Sequence, residues 1–264
     1  MRLQSAIFDM DGTLLDSMAA WDIAPVEFLR AQGKEPTPDF REITKVMTAS
    51  ECARYCRETY DLPMTAEEVM NGMNAMMEDF YTTRVQLKPG VKNFLSLLKM
   101  EGVWMYVATN TDRHLVQAAL KHTGIDSYFR GILTCSEVGA GKQESAEIYE
   151  RALRRLRSTK KDTVVFEDAV HAIRTAKAAG FRVAAVYDPS EEANQEEICQ
   201  ISDYYIRSFE ELFIKNFPLH YISSVFRLQV YRALCTVIIF IPQILDDTFI
   251  ICYHLHMQTL YAIC

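Results

Sequence analysis

Two pairs of acidic residues in this chain have a spacing that suits metal binding and proton transfer. Asp9 and Asp11 flank Met10 in the segment DMDGT, and Glu167 and Asp168 are adjacent later in the chain. In an extended strand, Asp9 and Asp11 would point the same way, although the glycine that follows them must modify this arrangement. Two carboxylates so close together repel each other unless a cation or a proton intervenes. The first pair could therefore supply a nucleophile and a proton carrier, and the second pair offers hard oxygen ligands for Mg²⁺.

Three further residues could bind an anion. Thr109 and Asn110 follow the apolar run VWMYVA and precede a predicted helix, so a hydroxyl, an amide and free backbone N–H groups lie together. Lys142 lies in the glycine-rich turn GAGKQ, where its ammonium group could neutralise phosphate oxygens. Each motif alone has a simpler interpretation, namely a solvated turn, a helix cap or a solvated loop lysine. Their combination favours one site, because each motif follows a predicted parallel strand and so falls at one rim of the sheet.

Short apolar segments alternate with helical segments through most of the chain. The pattern predicts strands over 3–8, 103–108, 131–134, 163–166 and 182–186, and helices over 91–101, 112–121, 145–157 and 170–179. Such alternation is typical of right-handed βαβ units, which build a parallel sheet covered on both faces. The expected fold class is therefore α/β, a doubly wound, Rossmann-like parallel sheet.

Residues 17–86 interrupt this alternation with a wholly helical pattern. We predict that 1–16 and 87–216 form the α/β core and that 17–86 form an inserted helical cap. Because the insert leaves just after the first strand, we expect it over the carboxyl ends of the strands, where ligands bind in such sheets. The cap should be mobile and should exclude water when it closes over the site.

The four motifs in this order, DMDGT, the turn at Thr109, Lys142 and the pair Glu167 and Asp168, resemble the signature motifs of the haloacid dehalogenase superfamily. The resemblance covers about residues 3–213. The position of the insert is similar to that in the subgroup with a helical cap, which includes β-phosphoglucomutase and many phosphatases of small molecules.

The resemblance implies a magnesium-dependent phosphatase that acts through an aspartyl-phosphate intermediate. Asp9 would attack phosphorus, and Asp11 would protonate the leaving oxygen and then deprotonate the hydrolytic water. The metal ligands would be Asp9, the main-chain carbonyl of Asp11 and Asp168, with Glu167 reaching the ion directly or through water. Thr109 and Lys142 would bind the phosphoryl oxygens. Asn110, Gly12 and Thr13 would orient the site.

Two other functions are compatible with the same motifs. The first is a sugar-phosphate mutase, which returns the phosphoryl group to another hydroxyl of the sugar. The segment VMTASECA weakens this alternative, because mutases of this type resemble one another in carrying an arginine-bearing loop there. The second is a non-catalytic domain that binds a phosphorylated ligand, although the presence of every motif residue argues against it.

Charge and cysteine content limit the partners. The chain has 264 residues, 28 of them basic and 35 acidic, which gives a formal net charge of -7 and no basic excess for nucleic-acid binding. Seven cysteines without a CxxC pair indicate reduced thiols, and no leader precedes the first strand, so we expect a cytoplasmic protein whose partner is a small phosphorylated metabolite. The segment 217–264 is an atypical apolar extension, for which a membrane anchor is an alternative to a poorly ordered tail.

Overall fold

The computed structural model of the chain describes residues 3–44, 47 and 49–214. All of these residues belong to the first of two units into which the chain divides, Met1–Phe217. The predicted extension at 217–264 lies outside the described residues. None of the helices in the described ranges is both long and apolar enough to cross a membrane.

The core of the fold is a six-stranded parallel sheet. Its strands are β1 (Ser5–Phe8), β4 (Trp104–Thr109), β5 (Phe129–Thr134), β6 (Thr163–Glu167), β7 (Arg182–Val186) and β8 (Tyr204–Ile206). The order across the sheet is β5-β4-β1-β6-β7-β8, and every neighbouring pair is parallel. A second, two-stranded antiparallel ribbon pairs β2 (Leu15–Asp16) with β3 (Gln86–Leu87). The predicted doubly wound α/β class is confirmed.

Helices follow the strands on both faces of the sheet. The bounds in the core are α5 (Val91–Met100), α6 (Arg113–Thr123), α7 (Cys135–Val138), α8 (Glu147–Leu156), α9 (Val170–Ala178), α10 (Gln195–Ile201) and α11 (Glu211–Ile214). Short 3-10 turns precede β5 and β6 and follow β7.

Alternation along the strands divides the core into two layers. Phe8 and Phe166 face one layer and their rings stack at 4.5 Å, whereas Ile7 and Val165 face the other. Residues of α5 and α6 cover the first layer, and residues of α8 and α9 cover the second. Strands buried on both faces need apolar side chains at nearly every position, which explains the nearly continuous apolar runs in the sequence.

Residues between the two strands of the ribbon form a helical insert. Its helices are α1 (Met18–Ala31), α2 (Phe40–Thr44), α3 (Ala49–Thr59) and α4 (Ala66–Thr83). A separate apolar cluster within the insert includes Phe28, Phe40 and Val69. Helix α4 begins with a capping box, in which Thr65 accepts from the Glu68 backbone N–H and Glu68 accepts from that of Thr65. The insert thus has a small core of its own, while α4 packs against α6 of the sheet domain.

The direction of the connections reverses beside β1. From β1 the chain continues to β4 and β5 on one side, and it then returns to β6, β7 and β8 on the other side. The crevice between the carboxyl ends of β1 and β6 is therefore the topological switch point, where ligands bind in open α/β sheets.

Candidate active site

Three motif residues lie where neighbouring strands end. Asp9 directly follows β1, Thr109 is the last residue of β4, and Glu167 is the last residue of β6. The backbone N–H of Asp9 donates to the carbonyl of Phe166 at 2.9 Å, which ties the ends of β1 and β6 together. Parallel pairing in register thus brings together residues that are far apart in sequence.

Lys142 reaches the same rim from the loop after α7. Its Nζ atom lies 2.6 Å from Asp9 Oδ1 and 2.6 Å from Glu167 Oε1, and the residue is 1% exposed. Burial alone would lower the pKa of Lys142, but the charges of Asp9 and Glu167 outweigh burial and raise that pKa above its ordinary value. Lys142 is therefore a permanent cation between two buried carboxylates.

Both oxygens of Glu167 already accept hydrogen bonds from protein donors. Oε1 accepts from Lys142 and from the hydroxyl of Tyr149 at 3.0 Å, and Oε2 accepts from the backbone N–H groups of Asp168 and Ala169. The Glu167 side chain is fully buried. Its main structural effect is to hold Lys142 and the end of β6 in place.

Asp168 lies against the turn that contains Gly12. Thr13 donates its hydroxyl hydrogen to Asp168 Oδ1 at 2.7 Å. Gly12 has φ +76°, and a Cβ atom built on it would lie 2.2 Å from Asp168 Oδ2. A side chain at position 12 would therefore suffer both backbone strain and a collision with a buried carboxylate.

Three carboxylates at the switch point fit a hard divalent cation. Asp9, Glu167 and Asp168 each offer one oxygen, and these oxygens lie within 4.8 Å of one another. Burial, followed by the charge of Glu167, raises the pKa of Asp9 to about 7 and raises that of Asp168 well above its usual range. Among the described residues, the buried Asp9 Oδ1 has the Lys142 ammonium group, at 2.6 Å, as its charged partner. Since Lys142 balances only part of the charge, a cation coordinated by these oxygens would remove the remaining repulsion.

Asp11 is held by three hydroxyl groups. Its Oδ1 accepts from Ser17 at 2.6 Å and also from Tyr81, while Oδ2 accepts from Thr111 at 2.6 Å. Tyr81 lies on α4 of the insert, and its oxygen in turn accepts from Trp21 Nε1 at 2.8 Å. Burial and the neighbouring Asp11 raise the pKa of Tyr81 well above its usual value, so the phenol keeps its proton and donates it to the carboxylate.

The predicted anion-binding residues are placed differently from one another. Thr109 is buried, and its Oγ1 accepts from the backbone N–H of Thr111 at 3.2 Å. The side chain of Asn110 is exposed, whereas that of Thr111 points to Asp11. The structure therefore brings Asp9, Thr109, Lys142 and the acids at 167 and 168 to one rim, with Asn110 at its exposed edge.

Lys88, at the return from the insert, fixes the turn beside the acidic cluster. Its Nζ atom donates to the carbonyl of Gly12 and to that of Tyr187 at 2.6 Å, and it forms an ion pair with Asp188 Oδ2 at 2.7 Å. Asp188 is buried and Lys88 nearly so. The end of β7 is thereby connected to the turn that supports Asp168.

Several residues that contact the motifs could not be predicted from the sequence. Five residues contact a motif residue without belonging to a motif themselves: Ser17, Tyr81, Thr111, Lys88 and Tyr149. Ser17 and Lys88 lie at the two crossings between core and insert, and this position could have indicated that they are close to the site. Tyr81 and Tyr149 lie on helices, and the rotation of each helix around its axis decides whether the hydroxyl group reaches the site. The spacing of hydroxyl residues in the sequence does not predict that rotation.

Comparisons with known proteins agree with this geometry. A family model described as haloacid dehalogenase-like hydrolase matches residues 6–186. Hexitol phosphatase B of Escherichia coli K12 is 24% identical over 81% of this chain and 96% of that protein. A bifunctional riboflavin kinase/FMN phosphatase of Arabidopsis thaliana is 30% identical over 68% of this chain, and the match spans only 47% of that protein's length. The crystal structure of CbbY from Rhodobacter sphaeroides in complex with phosphate has a TM-score of 0.70 and 25% identity, covering 80% of this chain and 96% of that one.

Proposed function

The chain belongs to the haloacid dehalogenase-like hydrolase family, and from this membership we propose that it is a phosphatase that hydrolyses small phosphate monoesters with Asp9 as the nucleophile. The resemblance drawn from the four motifs is confirmed, and so is the expected enzyme class, a hydrolase of this family. The roles of individual residues and the identity of the metal are part of the proposal.

The arrangement of Lys142 between Asp9 and Glu167 is the observation that carries the proposal. In the first step a carboxylate oxygen of Asp9 bonds to phosphorus as the bond to the leaving oxygen breaks, and Asp11 gives that oxygen a proton. In the second step Asp11 takes a proton from water, whose oxygen bonds to phosphorus and releases Asp9 and inorganic phosphate. The two steps return both carboxyl groups to their starting states.

Charge on the transferred phosphoryl group would be stabilised mainly by residues already oriented at the rim. Lys142 supplies a buried ammonium group, Thr109 a hydroxyl group, and Asn110 an amide at the exposed edge. Phosphoryl transfer depends chiefly on such positioning and electrostatic stabilisation. In this proposal Gly12 and Thr13 keep the supporting turn close to Asp168.

We assign the metal site to Mg²⁺ held by Asp9 and Asp168, together with the main-chain carbonyl of Asp11. Both Glu167 oxygens are engaged by protein donors, which favours an indirect role for this residue at the ion. When bound, Mg²⁺ supplies positive charge that polarises the phosphoryl group and neutralises the acidic cluster.

The substrate class proposed is a small phosphorylated metabolite, and a sugar or sugar-alcohol phosphate fits the relatives best. Hexitol phosphatase B is named for a phosphorylated sugar alcohol, and CbbY was crystallised with phosphate. The cytoplasmic location expected from the cysteines remains a prediction.

Release of inorganic phosphate from a panel of phosphomonoesters tests the proposal. The panel should include hexose, pentose and hexitol phosphates, each with Mg²⁺ and with a chelator. We expect magnesium-dependent release by the wild type and none by Asp9→Asn, whose folding is checked by circular dichroism. Interconversion of hexose 1- and 6-phosphates without phosphate release would instead identify a mutase, and no turnover of any substrate would contradict the proposed catalysis.

A further inference from the structure

Of the three side chains that donate to Asp11, one, Tyr81, comes from a helix of the insert. Tyr81 lies near the end of α4, is fully buried, and donates its hydroxyl hydrogen to Asp11 Oδ1. The other two donors, Ser17 and Thr111, come from the crossing after β2 and from the loop after β4. Tyr81 is therefore the donor whose position depends on how the helices of the insert pack.

Tyr81 is itself fixed by a second residue of the insert. Trp21 of α1 donates its indole N–H to the Tyr81 oxygen at 2.8 Å, and the two rings meet edge to face at 6.4 Å between centroids. The Tyr81 oxygen thus accepts one hydrogen bond and donates another. This orientation leaves little rotational freedom to the phenol, and it links α1 and α4 to the Asp11 carboxylate.

We propose that Tyr81, held by Trp21, is the positioning residue of the Asp11 carboxyl group, so that the insert orients the proton-transfer group as well as covering the site. The inference rests on the proposed function, because Asp11 needs a defined orientation only if it exchanges protons with the leaving group and with water. Ser17 and Tyr81 both bond to Oδ1, and they leave the direction of Oδ2 to Thr111. Removing one donor from Oδ1 would let the carboxyl group rotate away from its working direction.

A leaving-group comparison separates this role from a general structural one. An alkyl phosphate needs its leaving oxygen protonated, whereas p-nitrophenolate departs readily without a proton. Because kcat/KM reports the steps up to the first irreversible one, it contains the transfer of the phosphoryl group to Asp9. A residue that acts through Asp11 should therefore affect alkyl substrates more than p-nitrophenyl phosphate.

The test variant is Tyr81→Phe, and the matched control is Tyr60→Phe. Tyr60 is also in the insert, but its hydroxyl accepts from the backbone N–H of Thr37. For Tyr81→Phe we expect kcat/KM on the best alkyl phosphate of the panel to fall roughly tenfold to a hundredfold, the effect of losing a hydrogen bond to a charged group. The fall on p-nitrophenyl phosphate should be at least several times smaller, and Tyr60→Phe should match the wild type on both substrates.

A double-mutant cycle tests whether Trp21 acts through Tyr81. Trp21→Phe should lower kcat/KM on the alkyl phosphate less than Tyr81→Phe does, and it should cost nothing further in the Tyr81→Phe background. Circular dichroism and thermal unfolding establish that all the variants fold.

The outcomes distinguish this inference from the proposed function. A wild type without phosphatase activity on any substrate would defeat the proposed function itself. If the wild type is active, two results for Tyr81→Phe would overturn the role of Tyr81 alone. The first is an unchanged kcat/KM on the alkyl phosphate, and the second is an equal fall in kcat/KM on the alkyl and the p-nitrophenyl phosphate. Additive losses for Trp21 and Tyr81 would overturn the link between them.

Discussion

Lys142 neutralises charge at the candidate site from a position that water cannot reach. It is the only described cation within ion-pair distance of Asp9, and it also pairs with Glu167. Removing one partner of a buried charge network leaves the others uncompensated, which is far more costly than losing a surface pair. We therefore expect Lys142 to contribute to stability as well as to the proposed binding of phosphate.

Lys142→Met should lower the free energy of unfolding by about 3 kcal/mol and abolish measurable phosphatase activity, because Asp9 and Glu167 then repel each other in a buried site. Urea unfolding at neutral pH gives the first quantity. Lys177→Met is the matched control, since Lys177 pairs with Asp203 at a site about one-third exposed, and it should cost less than about 1 kcal/mol. Equal losses in the two variants would show that the Lys142 network carries no special stability.

Gly12 offers a second comparison between matched positions. Gly12 and Gly180 both have left-handed backbones, with φ +76° and +82°, but a Cβ at Gly180 would meet nothing within 4 Å. Both alanine variants should lose roughly 1 kcal/mol of stability from backbone strain. Only Gly12→Ala displaces Asp168, so only this variant should lose phosphatase activity, by about a hundredfold. Full activity in Gly12→Ala would mean that the placement of Asp168 tolerates movement of the turn.

The main residues of the candidate site could be predicted from the sequence, but the residues that hold them in place could not. Asp9, Thr109 and Glu167 each follow an apolar strand, and parallel strands end at one rim, so their convergence follows from sequence order. Thr111 and Tyr81 depend on the path of a loop and on the rotation of a helix. Neither of these is encoded by a pattern that one sequence displays.

Among the elements, α1 and α4 of the insert pack unusually closely at Gly72. A Cβ atom on Gly72 would lie 2.2 Å from Cε2 of the buried Phe28 ring. Alanine in place of a helical glycine normally stabilises a helix by about 0.5–1 kcal/mol. At Gly72 alanine should instead destabilise the protein, because overpacking costs about 1–3 kcal/mol.

Gly72→Ala should therefore lower the midpoint of urea unfolding, and combining it with Phe28→Leu, which removes part of the ring, should make the glycine substitution less costly. If Gly72→Ala alone raises the midpoint, the two helices are not in close contact at this position.

Element positions in the core were predictable because their patterns are strong. The strand at 182–186 has the predicted bounds, and helix α9 differs by one residue at its end. The ribbon of β2 and β3 and the helix α7 were not predicted. Elements of two and four residues are too short to show a period, and tertiary contacts rather than local pattern define them.

At the scale of the whole molecule, the order of the strands creates the site. The reversal of direction beside β1 places Asp9 and Asp168 on the two sides of one crevice. The division of the chain at 16 and 87 into core and cap, and the movement of the cap, remain predictions. The ribbon of β2 and β3 lies at the predicted crossings and is consistent with that division.

Metal binding to this crevice should stabilise the whole fold. A ligand that binds only the folded state at a hundred times its Kd contributes about 2.7 kcal/mol. We therefore expect Mg²⁺ to raise the Tm of the wild type and a chelator to reverse the rise. Asp168→Asn should lose most of the response, whereas Asp79→Asn, at an exposed ion pair with Arg84, should keep it. An unchanged response in Asp168→Asn would place the metal elsewhere.

Trapping of the covalent intermediate tests the role of Asp9 most directly. The enzyme is mixed with Mg²⁺ and a substrate whose phosphoryl group carries an isotopic label. The reaction is quenched in acid within the first turnover, and the protein is digested for peptide mapping. We expect acid-stable, alkali-labile phosphate on the peptide containing Asp9 in the wild type, and none in Asp9→Asn. Label on another residue, or rapid turnover with no labelled protein at any quench time, would contradict it.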